Sequence, residues 1–138
     1  MNEPDIKEHE VALVSPSGRR SPGIFTLNAA GNDCTLTLRY QGKEITTSEA
    51  DYFAALCSIR KQLEAEGLTP LCYGASRQCF PSGMARDMGA GLKVYKLQLG
   101  RKTSMADLVE TFSSGPDVEP ASVAEQQAFF DQWLNQRR

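Results

Sequence analysis

The chain has 138 residues and a formal net charge of −2 at pH 7, with 41% hydrophobic and 23% charged residues. This length is enough for one domain with its own hydrophobic core, and the composition is typical of a soluble globular protein. The slightly acidic balance does not favour nucleic-acid binding, no apolar run is long enough to span a bilayer, and residues 1–10 lack the pattern of an export signal. We therefore expect one cytoplasmic domain, residues 1–138, without membrane association, in which residues 1–9 form a flexible tail.

The cysteine and histidine content limits the chemistry. Cys34, Cys57, Cys72 and Cys79 show no C-x-x-C spacing, so reduced thiols packed as small hydrophobes are expected; a Cys72–Cys79 disulfide is the alternative. The only histidine is His9. No zinc-ligand spacing is present, so neither a metal nor a cofactor is predicted, and the protein is not expected to be an enzyme.

The first half predicts a β-meander. Short apolar or alternating runs occur at residues 11–14, 24–28, 35–40 and 44–46, separated by glycine-containing turns. A helix should follow, capped by Thr47 or Ser48 and ended by Gly67. Its apolar stripe at helical spacing is Tyr52, Leu56, Ile59 and Leu63, with Arg60, Lys61, Glu64 and Glu66 on the solvent side.

The second half mixes strands and helices. Residues 69–76 and 91–99 alternate as strands, and S-x-x-D and S-x-x-E patterns at Ser104 and Ser122 predict helices over residues 105–112 and 123–135. Together these elements predict an α+β fold, with an antiparallel sheet of about five or six strands and three helices mostly on one face.

The glycine-rich segment between residues 74 and 91 is the candidate binding site, because long connections are often functional. Two arginines suit a carboxylate or phosphate, and two methionines four residues apart suit an adaptable contact surface. Each residue also has a structural interpretation: Ser82 as a turn residue rather than a nucleophile, Asp87 as an ion-pair partner of Arg86 or Arg77 rather than a general base, and Cys79 as a packed thiol rather than a thiolate. The predicted binding residues are Arg77, Ser82, Met84, Arg86, Asp87, Met88 and Lys93.

Three runs carry a resemblance to a protein family. They are CFPSGMARDMGAGLKVY at residues 79–95, DLVxxF at 107–112 and EQQAFFDQWL at 125–134. This half of the chain resembles a family of small bacterial proteins without assigned activity, similar to immunity partners encoded beside polymorphic toxins. The resemblance implies that the chain binds another protein.

Charge patterning agrees with that expectation. Residues 103–131 carry six acidic residues and no lysine or arginine, which favours a basic partner such as a toxic nuclease. We expect a non-enzymatic immunity or regulatory partner that acts by occlusion. Two alternatives stay open: a small enzyme or anion-binding domain that uses Arg77, Arg86 and Lys93, and a structural homo-oligomer joined through the C-terminal helix.

Overall fold

The computed structural model describes residues 5–30 and 32–136. Within these ranges the chain forms eight β-strands in two antiparallel sheets and three α-helices. The predicted α+β class is confirmed. Residues 5–9, expected in a flexible tail, belong to the first strand, where they pair with residues 25–29; the remainder of that predicted tail, residues 1–4, lies outside the described residues.

The larger sheet is a four-stranded meander with one short addition. Strands β1 (Asp5–Val14), β2 (Arg20–Ala30), β3 (Asp33–Tyr40) and β4 (Lys43–Glu49) pair antiparallel in chain order. Strand β5 (Thr69–Pro70) pairs with the free edge of β1, which gives the order β4-β3-β2-β1-β5. The short apolar or alternating runs of the sequence predicted these four strands. Period-two burial is clear in β3, whereas no residue of β4 is buried.

Helix α1 (Tyr52–Glu64) covers the buried face of this sheet. The predicted stripe is correct, since Tyr52, Leu56, Ile59 and Leu63 are all buried. The predicted cap is wrong: Thr47 and Ser48 lie in β4, and the cap is Asp51, whose carboxylate accepts a hydrogen bond from the backbone N–H of Ala54 at 2.8 Å. The strand continues past the expected cap because β4 pairs with β3 as far as Glu49.

The smaller sheet has the order β6-β7-β8, formed by β6 (Cys79–Phe80), β7 (Lys93–Lys96) and β8 (Leu108–Glu110). Helix α2 (Gly83–Asp87) lies between β6 and β7 in the chain, and α3 (Val123–Gln136) closes the described part. A second hydrophobic core joins this sheet to both long helices and includes Phe53, Phe80, Val94, Phe129 and Trp133. The aromatic face of α3 therefore belongs to the core, as a stripe at helical spacing favours.

Two predicted elements form only in part, because contacts with residues distant in the chain interrupt them. Residues 71–76 leave the strand conformation after β5 and form a 3₁₀ turn at Tyr73–Ala75, because the backbone N–H of Gly74 donates to the carbonyl of Thr111 at 2.8 Å. The predicted helix over 105–112 ends after one 3₁₀ turn, Met105–Asp107, although its capping box forms. The following residues pair with β7 instead, where Val109 lies opposite Val94.

Arg60 is the largest departure from the helical pattern. The helical spacing predicts Arg60 on the solvent side of α1, yet it is only 1% exposed. Its guanidinium donates hydrogen bonds to the carbonyls of Gly74 and Ala121 at 3.3 and 2.9 Å, and to Oε1 of Gln126 at 2.5 Å. Arg60 thus ties α1 to the 3₁₀ turn and to the start of α3, and burial lowers the pKa of its guanidinium.

Candidate functional site

Residues 82–91, which we call the α2 segment, present two methionines to solvent. The Ser82 hydroxyl accepts a hydrogen bond from the backbone N–H of Ala85 at 3.0 Å and so caps α2. No residue of the helix is buried, and Met84 and Met88 are 71% and 83% exposed. Apolar side chains this exposed, side by side on one helical turn, are a feature of contact surfaces.

The α2 segment is anchored to the start of α1. Arg86 Nε lies 3.0 Å from Oδ2 of Asp51, and its guanidinium carbon lies 5.4 Å from the centre of the Phe53 ring. Asp51 is 6% exposed, so one buried carboxylate both caps α1 and holds Arg86. This ion pair fixes the orientation of α2 relative to the core.

Backbone contacts fix the other end of the segment. The N–H of Tyr52 donates to the carbonyl of Ala90 at 2.8 Å, and the N–H of Gly91 donates to the carbonyl of Ala85 at 2.9 Å. Gly91 has a φ of 70°, and a Cβ atom there would lie 2.7 Å from the backbone nitrogen of Phe53. Glycine is therefore required at position 91 both for its backbone conformation and for the close approach to α1.

The structure brings together five of the seven predicted binding residues: Ser82, Met84, Arg86, Asp87 and Met88. The expected ion pair of Asp87 with Arg86 or Arg77 is wrong, because Arg86 pairs with Asp51 and Arg77 pairs with Glu119.

Arg77 and Lys93 lie outside the α2 segment. Arg77 forms its ion pair with Glu119 at 3.0 Å and stacks over Phe129. Lys93 is exposed at the start of β7. Both arginines of the predicted anion clamp of Arg77, Arg86 and Lys93 are thus paired with carboxylates, and the clamp stays a prediction.

Some of the acidic residues at 103–131 form ion pairs with basic residues that precede them in the chain. Lys96 Nζ lies 2.6 Å from Oδ2 of Asp117, and the Tyr73 hydroxyl donates to Oδ1 of the same residue at 2.7 Å. These hydrogen bonds, with that of Lys96 the larger cause, lower the pKa of the Asp117 carboxyl. With Glu119 bound to Arg77, two of the six acidic residues at 103–131 are paired, which reduces the negative field expected to attract a basic partner.

The cysteines are all free thiols, so the alternative Cys72–Cys79 disulfide does not form. Cys79 is fully buried, and desolvation raises its pKa to about 12. A thiolate at Cys79, the activated form that a nucleophile would need, is therefore strongly disfavoured, and the packed-thiol interpretation is correct.

Sequence reasoning missed a cavity beside the α2 segment. Lys7 and His9, assigned to a tail, line it together with Cys34 and Phe112 from distant parts of the chain. The sequence does carry a signal for this cavity. His9, Val11 and Leu13 alternate, and they extend the inward face of β1 beyond the predicted run of residues 11–14.

No family model matches the chain, and no curated protein matches it significantly. Among residues 5–30 and 32–136, every helix lacks the length and hydropathy of a bilayer-spanning segment. The resemblance to bacterial immunity partners stays a prediction.

Proposed function

We propose that the protein is a non-enzymatic binding domain that docks onto a partner protein through the α2 segment. The observation that carries this proposal is the exposure of Met84 and Met88 on a short helix that Arg86 and Asp51 hold in place. The unbranched, polarisable side chain of methionine adapts to irregular apolar pockets. A partner with a matching cleft would bury both side chains at once.

The energetics support such a contact. Burying an exposed Met side chain contributes roughly 1.5–3 kcal/mol, so two of them provide a central anchor for an interface. The contacts of Gly91 and Arg86 already order the segment in the free protein. This pre-organisation reduces the conformational entropy lost on binding.

The charges around the two methionines define the partner further. Asp87 and Lys93 are exposed, and neither forms an ion pair with another described residue. We infer a partner with an apolar cleft whose rim carries charges of both signs, a basic group for Asp87 and an acidic group for Lys93. Insertion of the α2 segment into such a cleft would occlude it, in keeping with an immunity or regulatory partner.

The homo-oligomer alternative has less support. Phe129 and Trp133 are 8% and 6% exposed inside the protomer, so the aromatic face of α3 is already covered. The Trp133 indole N–H also donates to the carbonyl of Arg101 at 2.8 Å. Only limited apolar surface of α3, chiefly Leu134, is left for a second copy.

Site-specific photo-crosslinking tests the proposal. Benzoylphenylalanine at position 88 should form a light-dependent adduct with one protein in an extract of the native host. The matched control places the same group at position 105, because Met105 is 75% exposed on a different element. Excess wild type should compete for the adduct, whereas excess Met84→Ala/Met88→Ala protein should not. Equal adducts from positions 88 and 105, or equal competition by both proteins, would refute docking through α2.

A further inference from the structure

A cavity of about 330 Å³ lies at the end of the large sheet beyond the start of α1. Its floor is formed by the large sheet, where Leu27 and Cys34 are buried and Ala29 is exposed, and one wall is formed by Tyr52 and Phe112. At ~30 Å³ for each water-sized unit, this volume holds a ligand of roughly ten to fifteen non-hydrogen atoms. The cavity falls within the usual size range of small-molecule sites.

The cavity lies at the end of the sheet where β1 begins and where the chain passes from β4 to α1. At this end Asp5 pairs with Ala29, Cys34 pairs with Glu49, and α1 begins at Tyr52. The chain between α2 and β7 borders this cavity. It is held in place by the hydrogen bond from the Tyr52 N–H to the carbonyl of Ala90. The Phe112 ring of the wall stacks on His9 and tilts against Phe25, with ring centres 5.5 and 5.4 Å apart.

The lining combines an apolar body with a charged rim. Lys7 and Lys93 contribute two positive charges from opposite sheets, and neither forms an ion pair with another described residue. Glu110 is the one acidic residue among the described residues of the lining, and it lies opposite Lys93 in the β7–β8 register. Two exposed lysines beside an apolar cavity are complementary to a ligand with one anionic end.

We propose that this cavity binds a small organic acid, with its apolar or aromatic body on the sheet floor and its carboxylate between Lys7 and Lys93. This ligand site shares Lys93 with the rim of the proposed docking surface, but it does not include Met84 or Met88. Docking is tested at Met84 and Met88, and the cavity is tested at Lys7, Ala29 and Cys34, so either proposal can fail without the other.

Calorimetric titration of the purified protein with 3-phenylpropionate and octanoate tests the charge requirement. 3-Phenylpropanol and 1-octanol are the matched uncharged probes. We expect saturable binding of at least one acid and at least tenfold weaker binding of the corresponding alcohol. Absence of saturable binding for both acids, or equal binding of acid and alcohol, would overturn the proposal.

Rim and floor variants then locate the site. Lys7→Gln and Lys93→Gln should each weaken acid binding about tenfold, and Glu110→Gln should strengthen it by removing the opposing charge. Ala29→Trp should abolish binding by filling the cavity. Lys102→Gln is the matched control, because Lys102 is exposed and does not line the cavity. Acid binding that survives Ala29→Trp, or that Glu110→Gln weakens, would contradict the assignment.

Thiol labelling gives a readout that does not depend on the variants. Cys34 lines this cavity, whereas Cys57 lines a different one between α1 and α3. Saturating 3-phenylpropionate should slow alkylation of Cys34 by iodoacetamide at least fivefold and leave the rate at Cys57 unchanged. Equal slowing at both thiols, or at neither, would show that the acid does not occupy this cavity.

Discussion

Replacement of Arg60 by methionine should destabilise the protein strongly, although Arg60 belongs to no proposed binding surface. Its three hydrogen bonds to Gly74, Ala121 and Gln126 are made by a charged donor inside the core. Each such bond contributes roughly 1.5–3 kcal/mol. Its loss takes the arginine donor from the buried Ala121 carbonyl and from Gln126 Oε1, whereas the Gly74 carbonyl keeps a hydrogen bond from Gln126 Nε2 at 2.9 Å. No carboxylate among the described residues forms an ion pair with Arg60, so the substitution also removes the cost of burying an uncompensated cation.

The balance of these terms lowers the free energy of unfolding of Arg60→Met by about 3–4 kcal/mol. This is in the range found when a buried polar network is broken. With an m-value of about 2 kcal/mol/M in urea, the unfolding midpoint should fall by ~1.5–2 M at unchanged slope. Lys61→Met is the matched control, because Lys61 is the next residue of α1 and is exposed; its midpoint should change little. A midpoint for Arg60→Met within ~0.5 M of wild type, or equal to that of Lys61→Met, would refute the cross-linking role of Arg60.

Three further perturbations test the rest of the structure. Arg86→Ala should cost about 1–2 kcal/mol of unfolding free energy, since it leaves the buried Asp51 carboxylate without its cation; an unchanged melting temperature would show that the pair does not stabilise α1. Trp133→Ala should cost ~3–5 kcal/mol by opening the second core, and a variant that melts like wild type would contradict that packing. Burial and the hydrogen bond to Glu66 raise the pKa of Tyr40 from 10.0 to about 12, so its contribution to stability is present below pH 10 and is lost as the pH rises towards 12. Tyr40→Phe should therefore flatten the alkaline decline in unfolding free energy, and an identical decline in both proteins would refute the shift.

The elements that sequence predicted correctly depend on local signals. The box at Ser122 and Glu125 forms as expected, with reciprocal hydrogen bonds of 2.8 and 3.0 Å, and α3 begins at Val123. The apolar stripe of α1 and the alternation in β3 likewise show which face is buried. In contrast, the 3₁₀ turn at Tyr73–Ala75 and strand β8 depend on pairing with residues far along the chain, which neither periodicity nor capping patterns encode.

The same distinction separates the two sites. The contact surface of Met84 and Met88 can be predicted from the sequence, because their spacing of four residues and their position between glycines are local features. The cavity was not recognised, since Lys7, Cys34 and Lys93 meet only after both sheets have formed. The role of Arg60 was hidden for a similar reason: its partners are 14 to 66 residues away along the chain.

The affinity of the purified protein for the partner identified by crosslinking from position 88 tests the central claim most directly. By isothermal titration calorimetry, Met84→Ala and Met88→Ala should each weaken binding about tenfold or more, as the loss of a buried Met side chain requires. The double variant should weaken binding further, while its melting temperature stays at the wild-type value because both side chains are exposed in the free protein. Met105→Ala should bind like wild type. Wild-type affinity in the double variant, or an equal loss in Met105→Ala, would contradict docking through the α2 segment.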